Sequence, residues 1–214
     1  MKHIQFLPIL LLSALALFSC QDEADPLPDY VEDLSCLTTD YAGRAIWLCL
    51  DNGVKLKVQN EVKGLKHDTT YRVMALFTQQ PEAGTAWLTD YAPILAPQAV
   101  KYKHPQTDPL NVVACWKSGD YVNFRLGIKG TYKGTHYFGF HIDSISASAQ
   151  HTHCAYLRLV HNQNNDPLYY TREAYLSLPL QPFGLPENGS PDSVCISVST
   201  FDGTRHYAFA LNKQ

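Results

Sequence analysis

The chain is poor in charge and shows no helical periodicity beyond its first twenty residues. Asp, Glu, Lys and Arg make up only 17% of the 214 residues, and the Lys and Arg residues form no cluster. A protein that binds nucleic acid neutralises phosphates with clustered Lys and Arg. We therefore expect no nucleic-acid partner.

Motifs of several enzyme classes are also missing. The sequence contains no G-x-S-x-G nucleophile elbow, no H-E-x-x-H zinc motif, and no phosphate loop or dinucleotide fingerprint. A glycosidase needs two carboxylates that face each other across a cleft, but Asp120, Asp143 and Glu173 are too scattered for spacing to pair them. We predict a non-catalytic protein without a cofactor.

The N-terminus carries a secretory signal. Lys2 and His3 precede the apolar run from Ile4 to Phe18, which is too short to span a bilayer, since spanning takes about 20 residues. The run leads to a small residue followed by Cys20, as in a bacterial lipoprotein signal. We predict that residues 1–19 are removed and that Cys20 is lipidated and anchors the chain to a membrane. The alternative is an ordinary secreted protein with a Cys near the cut by chance.

The segment after Cys20 is acidic and rich in proline. It has almost no apolar surface to bury, so we predict a flexible tether over residues 20–35. Acidic residues directly after the lipidated Cys resemble the surface-export signal of Bacteroidetes lipoproteins. This resemblance implies an outer-membrane anchor at the cell surface, with the periplasmic face as the alternative. Without residues 1–19, which carry Lys2 as their one charge, the formal charge is −4.

The rest of the chain alternates apolar and polar residues in short runs separated by turn residues, which predicts an all-β protein. In the first half, five strands fit a small OB-type barrel over residues 36–103. The predicted strands are 45–50, 54–58, 71–77, 86–91 and 94–102. The Pro-containing segment 103–109 is predicted as a linker.

The second half, residues 104–214, predicts an immunoglobulin-like β-sandwich with about seven antiparallel strands. The predicted strands are 110–116, 121–129, 135–143, 154–161, 174–180, 193–201 and 206–211. The Pro- and Gly-rich segment 183–192 is predicted as a loop.

Several segments resemble, in order and spacing, the NigD-like lipoprotein family of Bacteroidetes. The segments are 46–56, 71–77, 112–116 with 119–124, His136, 157–162, 165–167 and the closing Asp202-Gly203 turn. The resemblance implies an N-terminal OB-type domain followed by a C-terminal β-sandwich. The family name comes from an association with a bacteriocin locus, and no biochemical activity comes with it. Cys49 and Cys115 depart from it, because ordinary core residues usually fill those strands.

Five cysteines remain after Cys20, and an odd number cannot all pair within one chain. They are Cys36, Cys49, Cys115, Cys154 and Cys195. The sequence contains no C-x-x-C spacing, so we do not expect a structural zinc site. We expect mostly free, buried thiols. The alternative is one disulfide in the second domain, among Cys115, Cys154 and Cys195, if the compartment is oxidising.

Histidines offer the only candidates for a metal or an active site. His151 and His153 would share one face of a strand, so both could reach one metal ion. They are weak candidates for a metal site, because no acidic third ligand lies at a suitable spacing. His161 would lie about 26 Å from His153 along an unbroken strand. With Asn162 it could form an acid–base or sugar-binding pair, but we favour a histidine at the sheet edge, with Asn162 and Asp166 making side-chain turns.

Aromatic residues are abundant, and we expect most of them to fill the two cores and their interface. The function that we predict is a non-catalytic binding or assembly lipoprotein of the cell envelope with a protein or glycan partner. The alternatives are a metal-dependent or hydrolytic enzyme that uses His151, His153 or His161, and a purely structural envelope component.

Overall fold

The computed structural model describes residues 29–147, 153–181 and 191–211. These residues form thirteen strands and one 3-10 turn, Pro81–Ala83. The strands are β1 Tyr30–Thr39, β2 Ala45–Leu50, β3 Lys55–Val58, β4 Thr70–Gln80, β5 Thr85–Pro93, β6 Ala99–Val100, β7 Asn111–Ser118, β8 Tyr121–Gly130, β9 Tyr137–Ala147, β10 His153–Asn162, β11 Tyr170–Pro179, β12 Ser193–Thr200 and β13 Gly203–Ala210. In this part of the chain, no helix has the length and apolar character needed to cross a membrane.

The first five strands close into a barrel in the order β1-β2-β3-β5-β4, which is the strand order of an OB-type barrel. Alternate residues of each strand point inward, and their apolar side chains form one core. Its largest fully buried members are Leu37, Leu48, Leu56 and Phe77. The predicted all-β fold with an OB-like barrel is confirmed.

The barrel begins earlier than the sequence indicated. Strand β1 starts at Tyr30, inside the segment 20–35 that we predicted as a tether, and it pairs with both β2 and β4. Glu32 and Asp33 hide this strand in the sequence because they interrupt its apolar alternation. The pairing on both sides of β1 is what closes the barrel, so residues 30–35 belong to the folded domain.

The barrel also ends earlier than the predicted boundary at residue 103. The predicted fifth strand, 94–102, leaves the barrel and packs on the sandwich. Leu95 accepts a hydrogen bond from the Ser177 backbone N–H, and β6 pairs with β9. The fifth barrel strand is instead β1, so the number of strands was right although one member was wrong.

The remaining strands form a two-sheet sandwich. A five-stranded sheet in the order β13-β12-β10-β9-β6 faces a three-stranded sheet in the order β11-β8-β7. Apolar side chains from both sheets fill the space between them, including Phe124, Phe140 and Leu157. The predicted sandwich is confirmed, but two pairings are parallel rather than antiparallel: β6 with β9, and β10 with β12.

A buried ion pair joins the barrel to the sandwich. The Arg72 guanidinium, on the outer side of β4, donates to both carboxylate oxygens of Asp51, at 2.5 and 2.7 Å. It also donates to Asn123 and Ser177 on the outer face of the three-stranded sheet, at 3.1 and 3.3 Å. The Tyr121 ring covers the guanidinium at 4.0 Å. One side chain of the barrel is thus held by the β2–β3 turn and by the sandwich strands β8 and β11.

Arg72 keeps its charge in this site although its side chain is only 2% exposed. Burial alone would lower the pKa of Arg72, but the hydrogen bonds and charge of Asp51 hold that pKa above its ordinary value. The β7–β8 turn approaches closely enough that a Cβ on Gly119 would clash with the Asp51 carbonyl. A glycine at this turn therefore allows the two domains to meet.

Removing one partner of this pair should destabilise the fold strongly, because a buried charge would lose its counter-charge. We expect Asp51→Ala to lower the free energy of unfolding by about 3–5 kcal/mol, measured by urea denaturation. The matched control is Glu173→Ala, which breaks the exposed Arg125–Glu173 pair and should cost less than about 1 kcal/mol. Equal effects of the two variants would contradict a special role of the Arg72–Asp51 pair.

Candidate functional site

Two loops meet at the end of the sandwich that points away from the barrel. Residues 131–136 connect β8 to β9, and residues 163–169 connect β10 to β11. Both loops cross between the two sheets. They lie side by side because Gly130 is paired with Tyr170 and Tyr137 with Asn162. We call these two loops, with the flanking residues Tyr137 and Tyr170, the loop end. Gly130 lies seven residues beyond Asn123 along β8, or about 23 Å.

Hydrogen bonds connect Asp166, His136, His161 and the Asp108 carbonyl in a buried series at the loop end, and we call this series the buried chain. Asp166 Oδ2 lies 3.1 Å from His136 Nε2, and His136 Nδ1 lies 2.8 Å from His161 Nε2. His161 Nδ1 is 2.9 Å from the carbonyl oxygen of Asp108. The side chains of His136 and Asp166 are 1% and 4% exposed, and His161 is also buried. The buried chain therefore links three segments of the sandwich, and it does so out of contact with water.

Asp166 is held by the opposite loop. Its carboxylate accepts hydrogen bonds from the Thr131 backbone N–H, at 2.7 Å, and from the Thr131 hydroxyl, at 2.6 Å. A Cβ on Gly130 or Gly134 would fall within contact distance of this carboxylate, most severely at Gly134. The absence of side chains at these two positions makes room for Asp166 between the sheets.

The hydrogen bonds fix where the protons of this chain lie. The Asp108 carbonyl can only accept, so His161 Nδ1 donates to it. Burial favours the neutral form of His161 because it lowers the pKa of this ring, so His161 Nε2 accepts. His136 Nδ1 therefore donates to His161. Because the Asp166 carboxylate also accepts, His136 Nε2 must donate as well. His136 thus carries a proton on both nitrogens and pairs as a cation with Asp166, while His161 is neutral.

The electrostatics agree with this assignment. Burial lowers the pKa of His161 below its ordinary value, and the neighbouring charge of His136 lowers it further. Hydrogen bonds from Thr131 hold the pKa of the Asp166 carboxyl below its usual range. The hydrogen bonds require one extra proton on the two imidazoles, and the lowered pKa of His161 places that proton on His136, beside the ionised Asp166.

All four ring nitrogens of His136 and His161 are occupied by this chain. A general base needs a nitrogen within reach of the proton that it removes from a substrate, and neither imidazole offers one. The expectation that His161 lies at a sheet edge is wrong, because it is buried in β10 between β9 and the segment at Thr107. Asp166 makes no side-chain turn but holds Thr131, whereas Asn162 Oδ1 does accept from the Asn164 backbone N–H in a turn.

The other residues singled out in the sequence do not join this site. Cys20 and His151 lie outside the described residues, and His153 is described only by its backbone, as the first residue of β10. Among the described parts of the chain, no three His, Cys, Asp or Glu residues are arranged to hold a metal ion. The pairing of His136 with Asp166 was missed, since thirty residues separate them in the sequence.

Above the buried chain, the loop end presents a surface of exposed aromatic side chains. Tyr132 is 87% exposed and Tyr169 is 79% exposed. Tyr137, Leu168 and Tyr170 beside them are exposed as well. The expectation that most aromatic residues fill the cores is wrong here. The alternation of apolar and polar residues applies to strands, so it does not indicate which way the side chains of a loop point.

Two other surfaces are less suited to binding. A groove of about 370 Å³ lies between the barrel and the sandwich, with Trp116 and Tyr175 on its sandwich side. Its one basic side chain, Arg125, is already paired with Glu173. On the barrel, the outer face near Trp47 is covered by the ammonium of Lys55, 4.2 Å from the ring centre. The loop end is therefore the candidate site.

Solved structures with the same fold come from Bacteroides and Parabacteroides. A NigD-like immunity protein from Bacteroides caccae is 22% identical, with a TM-score of 0.66 over 86% of this chain and 99% of its own. A protein from Parabacteroides distasonis described as toxin-related is 18% identical, with a TM-score of 0.67 over 87% and 95% of the two chains. At these sequence identities, the structural similarity shows only that the folds are alike. No curated protein matches the chain.

The family itself is settled by a sequence comparison. The model of the NigD-like C-terminal β-sandwich domain matches residues 93–211, which is more than half of the chain. The matched range begins where the barrel ends and contains all strands of the sandwich, as well as Asp108, His136, His161 and Asp166. The chain therefore belongs to the NigD-like family.

Proposed function

We propose that this protein is a non-catalytic, lipid-anchored protein of the cell envelope that binds a protein partner with its loop end. The observation that carries the proposal is the set of exposed tyrosines on two loops that a buried ionic chain holds in place. Tyr132 and Tyr169 are the most exposed of them and stand on different loops.

Exposed tyrosines on rigid loops suit protein recognition. A tyrosine brings a large contact area and a hydroxyl group at a low cost in conformational entropy, and Tyr, Asn, Ser and Gly dominate the binding loops of antibodies. The loop end has this composition, with Asn164 and Asn165 beside the tyrosines. A β-sandwich of this kind commonly carries its binding loops at one end.

The buried chain supports the same function. Binding is weakened by the entropy lost when loops become ordered, so loops that are fixed beforehand bind more tightly. His136 and Asp166 tie residues 131–136 to residues 163–169 through a buried, charged hydrogen bond. This arrangement would be an expensive way to hold loops without a role, since burying two charges costs desolvation energy.

A protein partner is favoured over a glycan by two observations. The exposed part of the loop end combines tyrosines with the apolar Leu168. Its one carboxylate, Asp166, is a group that could bind sugar hydroxyls, but it is buried and already accepts hydrogen bonds from Thr131. Neighbours in fold are described as an immunity protein and as toxin-related, and we take these descriptions to favour a protein partner for this chain.

The anchor is part of the proposal. The lipoprotein signal that ends at Cys20 supports attachment to the outer membrane, and the acidic residues after it support the cell surface, with the periplasmic face as the alternative. Nine residues separate Cys20 from the first strand, so the barrel can stand at most about 30 Å from the lipid. The sandwich carries the loop end beyond the barrel.

Photo-cross-linking tests the binding surface directly. A photoreactive phenylalanine at position 169 in the full-length protein should give one dominant protein adduct when irradiated with an envelope extract. The matched control is position 41 on the barrel, since Tyr41 is 80% exposed but lies far from the loop end. Tyr132→Ser should weaken formation of the adduct at position 169 about 30-fold, as for a residue at the centre of an interface.

Three outcomes would contradict the proposal. Equal adducts at positions 41 and 169 would show non-specific contact. No adduct at position 169 would favour a structural envelope component. Specific binding on a glycan array that Tyr132→Ser abolishes would make the partner a glycan instead.

The pH dependence of stability should report the buried chain. The unfolded pKa of a histidine is about 6.5, and that of His161 is lower in the fold, so below about pH 6.5 the unfolded state binds more protons and stability falls. We expect thermal stability to decrease as the pH falls from about 6.5 to about 5, and His161→Gln to decrease this dependence. His67→Gln, at an exposed histidine, should leave it unchanged. Equal slopes for all three proteins would show that His161 is not neutral in the fold.

Gly134→Ala should disturb the loop end without removing any polar group. The added Cβ would displace the Asp166 carboxylate, so we expect lower thermal stability and weaker formation of the adduct at position 169. An unchanged adduct yield would contradict the role of the buried chain in fixing the loops.

Lipidation can be checked independently. Cys20→Ser should abolish incorporation of labelled palmitate and release the protein from the membrane fraction, because the thiol is the site of lipid attachment. Continued labelling of the variant would place the lipid on another residue.

A further inference from the structure

Two cysteine side chains meet on the outer face of the five-stranded sheet. Cys154 is near the start of β10 and Cys195 lies in the adjacent parallel strand β12. Both thiols point away from the core, since their neighbours Ala155, Val194 and Ile196 point into it. Their sulfur atoms are 2.8 Å apart, which is closer than two sulfur atoms that share no bond normally approach.

The other three thiols of the described chain are placed differently. Cys36 lies opposite Cys49 in the pairing of β1 with β2. The Cys36 sulfur is directed instead to the Tyr121 hydroxyl, 3.3 Å away, at the interface between the domains. Cys115 packs against the sandwich core, where burial raises its pKa to about 12. Of the three cysteines in the sandwich, only Cys154 and Cys195 can therefore react with each other without rearrangement.

We propose that Cys154 and Cys195 form a disulfide bond in the exported protein. The proposal rests on the envelope location given above, because disulfides persist outside the cytoplasm and are kept reduced inside it. The bond would connect two strands that are neighbours in the sheet but 41 residues apart in the chain.

The reaction needs an oxidant, and we take this to be the disulfide form of a thiol–disulfide oxidoreductase of the envelope. The thiolate of one cysteine attacks the oxidant's disulfide and forms a mixed disulfide, and the second cysteine then displaces the oxidant. Overall, Cys154 and Cys195 lose two protons and two electrons, and the oxidant's disulfide becomes two thiols. The uncatalysed reaction should be slow at neutral pH, since burial and the neighbouring thiol raise the pKa of Cys195 to about 11.

We expect the disulfide bond to increase the conformational stability of the sandwich. A cross-link between distant residues decreases the conformational freedom of the unfolded chain and so stabilises the fold. It holds β10 against β12, and β10 carries His161 at its other end. The pair thus fixes the strand that contributes His161 to the buried chain.

Mass spectrometry of the full-length protein, purified from the envelope in detergent, tests the proposal. Free thiols are first alkylated without reduction, and the protein is then cleaved with trypsin. Cleavage after Lys and Arg places the five cysteines in five different peptides, with Cys154 in 134–158 and Cys195 in 173–205. We expect these two peptides to be joined, while the peptides of Cys36, Cys49 and Cys115 are alkylated.

A second measurement uses stability. Reductant should lower the melting temperature of the wild-type protein by roughly 5–15 °C, as for the loss of a disulfide in a chain of this size. It should not lower that of the Cys154→Ser/Cys195→Ser variant. The matched control Cys36→Ser should keep both the joined peptides and the sensitivity to reductant.

Alkylated Cys154 and Cys195 in the envelope protein would overturn the proposal. Treatment of the reduced, folded protein with glutathione disulfide then identifies the cause. If the joined peptides form in this treatment, the geometry is right and the proposed location is at fault. If they do not form, the two sulfur atoms cannot be bridged in the fold, and the proposed location is unaffected.

Discussion

The arrangement of the whole molecule depends on the buried ion pair between Arg72 and Asp51. Both residues belong to the barrel, yet the guanidinium is satisfied only when Asn123 and Ser177 of the sandwich are in place. A charge buried without its partners is strongly unfavourable. The domains therefore have one relative placement in which Arg72 is fully hydrogen-bonded, and a purely apolar interface would not discriminate between placements in this way.

The same principle operates at the loop end. A cationic His136 between Asp166 and His161 is stable only while every ring nitrogen keeps its partner, so the loops cannot shift independently. The barrel, the ion pair and the buried chain thus form a continuous support from strand β1 to the exposed tyrosines.

Much of the fold could be read from alternation and turn residues. The strands of the sandwich were placed within a few residues of their true bounds, because most of them alternate a buried and a more exposed face. The failures have specific causes. Strand β1 carries Glu32 and Asp33 and therefore looked like part of the acidic tether. The segment around Leu95 had the pattern of a barrel strand, but the same pattern suits a segment packed on a sandwich.

The sequence by itself determined the all-β class, the order of barrel and sandwich, and the family, since all of these depend on residues that are close in the chain. Only the tertiary structure decided that His136 pairs with Asp166, that Cys154 meets Cys195, and that Tyr132 and Tyr169 stand exposed on adjacent loops. The physical reason is that hydrogen bonds, ion pairs and thiol contacts depend on distances of a few ångströms between residues that lie thirty or more positions apart. Those distances are set by strand pairing, and spacing along the chain does not encode them.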